Sequence, residues 1–171
     1  VVYSIHFCAI HTLLSHVAPE TDSKFVASYA DLDARETFLV TDHDDAIERV
    51  REAFTDAGFG VPTEFSPSEN IREHTGDELQ SIRVIGIGTP HAGKIVVELT
   101  RGDAAPLFPC TVVVQQVSQD RQRVYHLCLP SVLEQVGFVP EDDSDAWAEA
   151  ATLAGNGVGE AFKTSTRAMS P

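Results

Sequence analysis

Lysine is almost missing from this chain. Only Lys24, Lys94 and Lys163 occur in 171 residues; the other bases are nine arginines, set against 26 acids, for a formal charge of −14. A field of that sign repels nucleic-acid phosphates and anionic lipid, so neither nucleic acid nor a membrane surface is an expected partner. No apolar run is long enough to span a bilayer. Lys and Arg are absent before Lys24, which removes the basic start that a secretory signal peptide needs. Cysteine is scarce and odd in number: Cys8, Cys110 and Cys128, with no CxxC pair. That speaks against a disulfide framework and for reduced thiols in a cytoplasm. Acids in abundance with few lysines is the composition of a halophilic, archaeal cytosolic protein, because carboxylates keep a hydration layer in strong salt and the salt screens their repulsion. An ordinary acidic mesophilic protein is the alternative.

The chain has 43 % apolar residues, a globular value, and a length that suits one core. It divides into an N-terminal extension over 1–34, a single domain over 35–163 and a tail over 164–171. The extension is apolar from Val1 to Ala18 with His6, Cys8, His11 and His16 embedded. Steps of five between histidines fit neither helix nor strand, so they form no shared face.

The domain opens with a strand over Glu36–Thr41. Asp42 then stands as an N-cap, Asp44 and Asp45 sit where the helix dipole favours acids, and Ile47, Val50, Phe54 and Ala57 recur on one helical face before Gly58. Phe59–Phe65 returns as a strand. Ser66, Pro67 and Glu69 start a short helix as cap, first-turn proline and capping box, and Gly76 stops it. Ser81–Gly88 is a strand, and Pro90–Thr100 is read as a short helix. Cys110–Val117 and Gln122–Leu129 form a hairpin with a two-residue loop at Gln119 and Asp120. In that register Val112 faces Leu127 and Val114 faces Tyr125, on one face with Cys110. Thr111, Val113 and Gln115 then share the other face with Val124, His126 and Cys128, so Cys110 and Cys128 point to opposite sides. A short helix follows over Pro130–Val136. A last helix begins at an acidic cap, Asp142–Asp145, and is weakened by Gly155, Gly157 and Gly159, resuming at Phe162.

Three stretches carry a family resemblance: AIERVREAFTDAGFGVPTEF at 46–65, IREHTGDELQSIRVIGIGTP at 71–90 and FPCTVVV at 108–114. Together they resemble the domain-of-unknown-function 302 family from about Glu36 to Phe162. The resemblance implies an α+β fold, an antiparallel sheet of four to five strands with helices packed on one side, similar to the TATA-binding-protein-like architecture. It also implies a homodimer, and no established biochemical role. The family often has a cysteine and an asparagine where this chain has Gly88 and Thr89, and an acid where it has Leu129.

Candidate site residues follow from these elements. Gly88, Thr89 and Lys94 surround a strand-to-helix turn whose N–H groups would attract an anion, with a plain tight turn as the bland reading. Thr111, Gln115, His126 and Cys128 give a polar sheet face. Together these seven residues make a small-molecule or metal-containing ligand site the favoured reading. Two of them, His126 and Cys128, are metal-ligand types that would need His91 or His74 as company, and no four-ligand set is evident. Cys110 or Cys128 acting as a reactive thiol defines an enzyme alternative; a packed cysteine is the simpler reading of Cys110. A structural interaction protein without ligand is the third reading. GNGVG at 155–159 lies within a helix and is not a dinucleotide loop. No cofactor is assignable.

Overall fold

Strand β1 (Arg35–Val40) is the first described element of the fold in this computed structural model, which describes residues 34–139 and 143–167. The extension with its histidines, the Asp142 cap and the end of the tail lie outside the described residues. The Asp42 carboxylate accepts the Asp45 N–H at 2.9 Å and starts α1 (His43–Asp56), whose Ile47, Val50 and Phe54 are buried. Gly58, at φ 86°, reverses the chain into β2 (Gly60–Phe65). Ser66 Oγ accepts the Glu69 N–H at 3.2 Å to cap α2 (Pro67–Thr75), and Gly76, at φ 76°, ends it. The Glu69 carboxylate, expected to close a capping box, instead stands 3.8 Å from Arg83. Then follow β3 (Ile82–Gly88), α3 (Pro90–Leu99), a 3-10 turn at Ala105–Leu107, β4 (Cys110–Ser118), β5 (Arg121–His126), α4 (Leu129–Gln135) and α5 (Ser144–Arg167).

The strands form one antiparallel sheet in the order β1-β5-β4-β3-β2. The fold is α+β, with five strands and five α-helices. Leu39, Ile85, Val112, Val114 and Val124 project from one face into a core closed by α1 and α5. A second cluster joins α3, α4 and α5 through Val96, Leu129, Leu133, Trp147 and Ala150. There Trp147 Nε1 donates to Glu134 Oε1 at 2.8 Å. The opposite sheet face is open: Phe38 is 38 %, Phe65 47 % and Val40 59 % exposed. Arg121 lies over the Phe38 ring and Arg123 over Tyr125, each about 4 Å from the centroid.

The hairpin departs from its expected register. Ser118 pairs with Arg121 around the two-residue turn as expected. A bulge between Gln116 and Ser118 then slips every later pair by one, giving Gln116↔Gln122, Val114↔Val124 and Val112↔His126. Because side chains alternate with a period of two, one extra residue moves a whole set to the other face. Val112 therefore does not face Leu127. His126 and Cys128 are buried on the helix-covered side, whereas Thr111, Val113 and Gln115 lie on the open side. Cys110 and Cys128 do not point apart, because both line one void under α5.

The glycines do not interrupt the last helix either. α5 runs unbroken for 24 residues. Gly157 sits where a Cβ would come within 2.6 Å of the Phe59 ring, so close packing on the core compensates for weak propensity. Around Gly155 a Cβ would meet nothing within 4 Å. Gly155→Ala should thus raise unfolding free energy by about 0.5–1 kcal/mol. Gly157→Ala should lower it by about 1–2 kcal/mol, because overpacking outweighs the propensity gain. Urea denaturation of the two variants checks the opposite signs, and equal shifts would refute the packing account.

Candidate functional site

Four small residues hollow out a wide apolar space in the described fold. On α3, Ala92 and Gly93 face inward one turn before Val96; on α5, Ala150 and Ala154 do so one turn apart. Their short side chains leave a cleft of about 470 Å³ between the two helices and the end of β3, within the range of small-ligand pockets. The β2–β3 ladder is irregular between Gly60 and Thr63, and Val61 and Pro62 from this stretch form part of the wall. Gly88 and Thr89 line it where β3 passes into α3, and Thr89 makes no side-chain cap to that helix. Cys110, Leu129 and Pro130 lie at its inner end. Among the described residues no aspartate, glutamate, lysine, arginine or histidine lines this cleft.

A void of about 20 Å³ adjoins it. Phe59, Ile87, Cys110, Leu129, Pro130 and Ala154 line both spaces, and the void adds Arg35, His126 and Cys128. Its size is about that of one water. His126 is buried with Nδ1 at 2.7 Å from the Thr111 carbonyl oxygen. A carbonyl only accepts, so Nδ1 carries the proton in that bond. Arg35 stands opposite His126 in the β1–β5 register.

Cys110 and Cys128 are both free thiols. Burial pushes the Cys110 pKa up to about 11; the nearby Cys128 adds to the rise and the Leu129 backbone N–H weakly opposes it. A nucleophilic cysteine needs the reverse shift, from a cation or a helix N-terminus. At neutral pH Cys110 is a neutral, packed thiol on the cleft wall.

The seven ligand residues expected from sequence are dispersed. Gly88 and Thr89 do line the cleft. His126 and Cys128 line the adjoining void. Lys94 is on the exposed side of α3, its ammonium 3.4 Å from Glu98. Thr111 and Gln115 are on the opposite face of the sheet because of the bulge. Neither histidine proposed to join His126 and Cys128 on a metal reaches them. His91 is exposed beside Glu149, and His74 bonds the Asn70 carbonyl at 2.7 Å. Among the described residues no group of three or more His, Cys, Asp or Glu is placed to hold a metal. Ala92, Gly93, Ala150, Ala154 and Arg35 were not foreseen; small residues four apart on helices were the one available signal.

Residues 36–146 match the family described as Domain of unknown function DUF302. The fold is similar to that of the crystal structure of an uncharacterized conserved protein DUF302 from Bacillus stearothermophilus, with a TM-score of 0.63 and 18 % identity over 77 % of this chain and 96 % of that one. At that identity the likeness establishes the fold alone. No curated protein matches the sequence.

In a Cys8→Ser background, iodoacetamide should label Cys110 at pH 7 roughly 100-fold more slowly than the same cysteine in the urea-unfolded chain, given a thiolate fraction lowered by the shift from 9.0 to about 11. Peptide mapping after timed quenching gives the rates. Labelling as fast as in the unfolded chain would contradict a buried neutral thiol.

Proposed function

The chain belongs to the DUF302 family, and from that starting point we propose that it is a homodimeric binding domain whose α3–α5 cleft takes a small, largely apolar molecule. The observation that carries this reading is the cleft itself. About 470 Å³ of space lined by Ala, Gly, Val, Pro and Phe is left open instead of being filled by larger side chains. Protein interiors are otherwise close-packed, and an unfilled apolar space of this size forgoes several kcal/mol of packing. A ligand recovers that loss by desolvating both surfaces. The binding reading is favoured over the thiol-enzyme alternative because Cys110, the one titratable side chain on the cleft wall among the described residues, is held in its neutral form. It is favoured over a purely structural role because an interaction scaffold has no need of the cavity.

Homodimer formation is supported by the open sheet face. Phe38, Val40 and Phe65 are exposed there, and the charged groups beside them are Glu36, Arg121 and Arg123. On a chain of net charge −14, a face with more arginine than acid lets two copies approach with the least repulsion. The acid excess and the free thiols of Cys110 and Cys128 also support a salt-rich cytoplasm as the working environment.

Two expectations follow. Nile red, a neutral apolar dye, should bind with a blue-shifted emission. Gly93→Leu should abolish that signal while keeping the circular dichroism spectrum, since a Cβ at Gly93 meets only the Phe108 ring at an ordinary 3.7 Å and the rest of the leucine enters the cleft. Dye binding unchanged in Gly93→Leu would sink the cleft as the site. Light scattering in strong KCl should give a two-chain mass and, for the Val40→Glu/Phe65→Glu variant, a one-chain mass, with the melting temperature of the parent rising with KCl. A one-chain mass for the parent protein would refute the dimer, and a melting temperature independent of salt would refute the halophilic reading.

A further inference from the structure

Charge is distributed around the cleft against the composition of the chain. Acids outnumber bases by 26 to 12 overall, yet among the described residues no carboxylate lines either the cleft or the void behind it, and Arg35 is the one strongly basic side chain on these walls. It projects from β1 onto the helix-covered face, half-buried, and its guanidinium lies beside α5, with Nη1 3.8 Å from where a Cβ on Gly159 would be. Among the described residues no carboxylate pairs with it. A half-buried guanidinium with no acid partner among the described residues can take its counter-charge from a ligand.

We infer that the ligand of the cleft is a monocarboxylic acid with an apolar body, its carboxylate directed past Cys110 to Arg35. This rests on the proposed cleft and adds the chemical class of what fills it. The apolar body occupies the α3–α5 space, where no charged side chain meets it. The head group is directed into the void, which is joined to the cleft through Phe59, Ile87, Cys110 and Leu129. A volume of about 20 Å³ accepts about one water, or one carboxylate oxygen, and is too small for a phosphate with three terminal oxygens. His126 stands beside Arg35 with its Nδ1 proton held by the Thr111 carbonyl, which fixes the ring in the wall. Cys110 remains protonated, so it adds no negative charge to oppose the head group.

The test is competition against bound Nile red with three probes of one chain length, decanoate, decanol and decyl phosphate, on the parent protein and on Arg35→Met and Arg35→Lys. Decanoate should compete at least about tenfold more strongly than decanol, as expected for a charge-assisted pair with arginine, and more strongly than decyl phosphate. Arg35→Met should remove that advantage and leave decanol unchanged, which also shows that the variant is folded. Arg35→Lys should restore part of it. Equal competition by decanoate and decanol, or an Arg35→Met loss shared by both, overturns the acid inference while leaving an apolar cleft. A decyl phosphate that matches decanoate overturns the choice of head group. Failure of Nile red to bind at all would instead overturn the cleft reading.

Discussion

A single extra residue in the β4–β5 hairpin decides what this domain has at its centre. The bulge beside Val117 changes pairing from Ser118↔Arg121 to Gln116↔Gln122, and beyond it the side chains of one strand change face relative to those of the other. Val112, Val114 and Val124 enter the core, and Cys110, His126 and Cys128 follow them to the side where α5 covers the sheet. Gln122 comes inward with them. It is fully buried, donating Nε2 to the Thr41 carbonyl and accepting at Oε1 from His43 Nδ1 at 3.0 Å. That polar pair fixes the start of α1 over the sheet, so the bulge sets both the apolar core and the helix that closes it.

The cleft is a different kind of consequence. Elsewhere the elements are joined by large side chains and paired charges. Phe54 packs edge-on against Phe59 and Phe162, and Arg51 of α1 holds Glu64 of β2 at 3.0 Å. Between α3 and α5 the residues shrink to Ala and Gly, and the helices meet across space that they do not fill. An apolar recess already open between packed helices is what a pre-formed binding site requires, because little ordering is left to oppose association.

The parts of this structure legible in the sequence are those determined within a few residues. Asp42, Gly58, Ser66 with Pro67, and Gly76 mark helix ends through local hydrogen bonds and local φ, and all four act as read. The two-residue turn of the hairpin was likewise visible. The bulge was not, because Val117 is an ordinary strand residue and the slip is selected by which face the helices bury. The continuity of α5 was hidden for the same reason: Gly157 weakens the helix locally and fits Phe59 across the core. Of the residues singled out in the sequence, Gly88 and Thr89 at the strand-to-helix turn and Cys110 at the start of β4 line the cleft. Ala92, Ala150 and Ala154 look in sequence like packed helix positions. Arg35 looks like the first charged residue before a strand. Only the fold brings them around a common space.

The sheet order also has a kinetic consequence. β2, β3, β4 and β5 are neighbours both in the chain and in the sheet, so each can pair with the strand made before it. β1 cannot, since Arg35–Val40 pairs with Arg121–His126, the last of the described strands in chain order. Until then Phe38, Leu39 and Val40 must wait without a ladder partner, and closing so long a loop is slow compared with forming a hairpin. The sheet is therefore completed by a late, non-local event. It brings Arg35 beside His126 only after β5 has been made, and the void is closed later still, by Ala154, Gly155 and Val158 of α5.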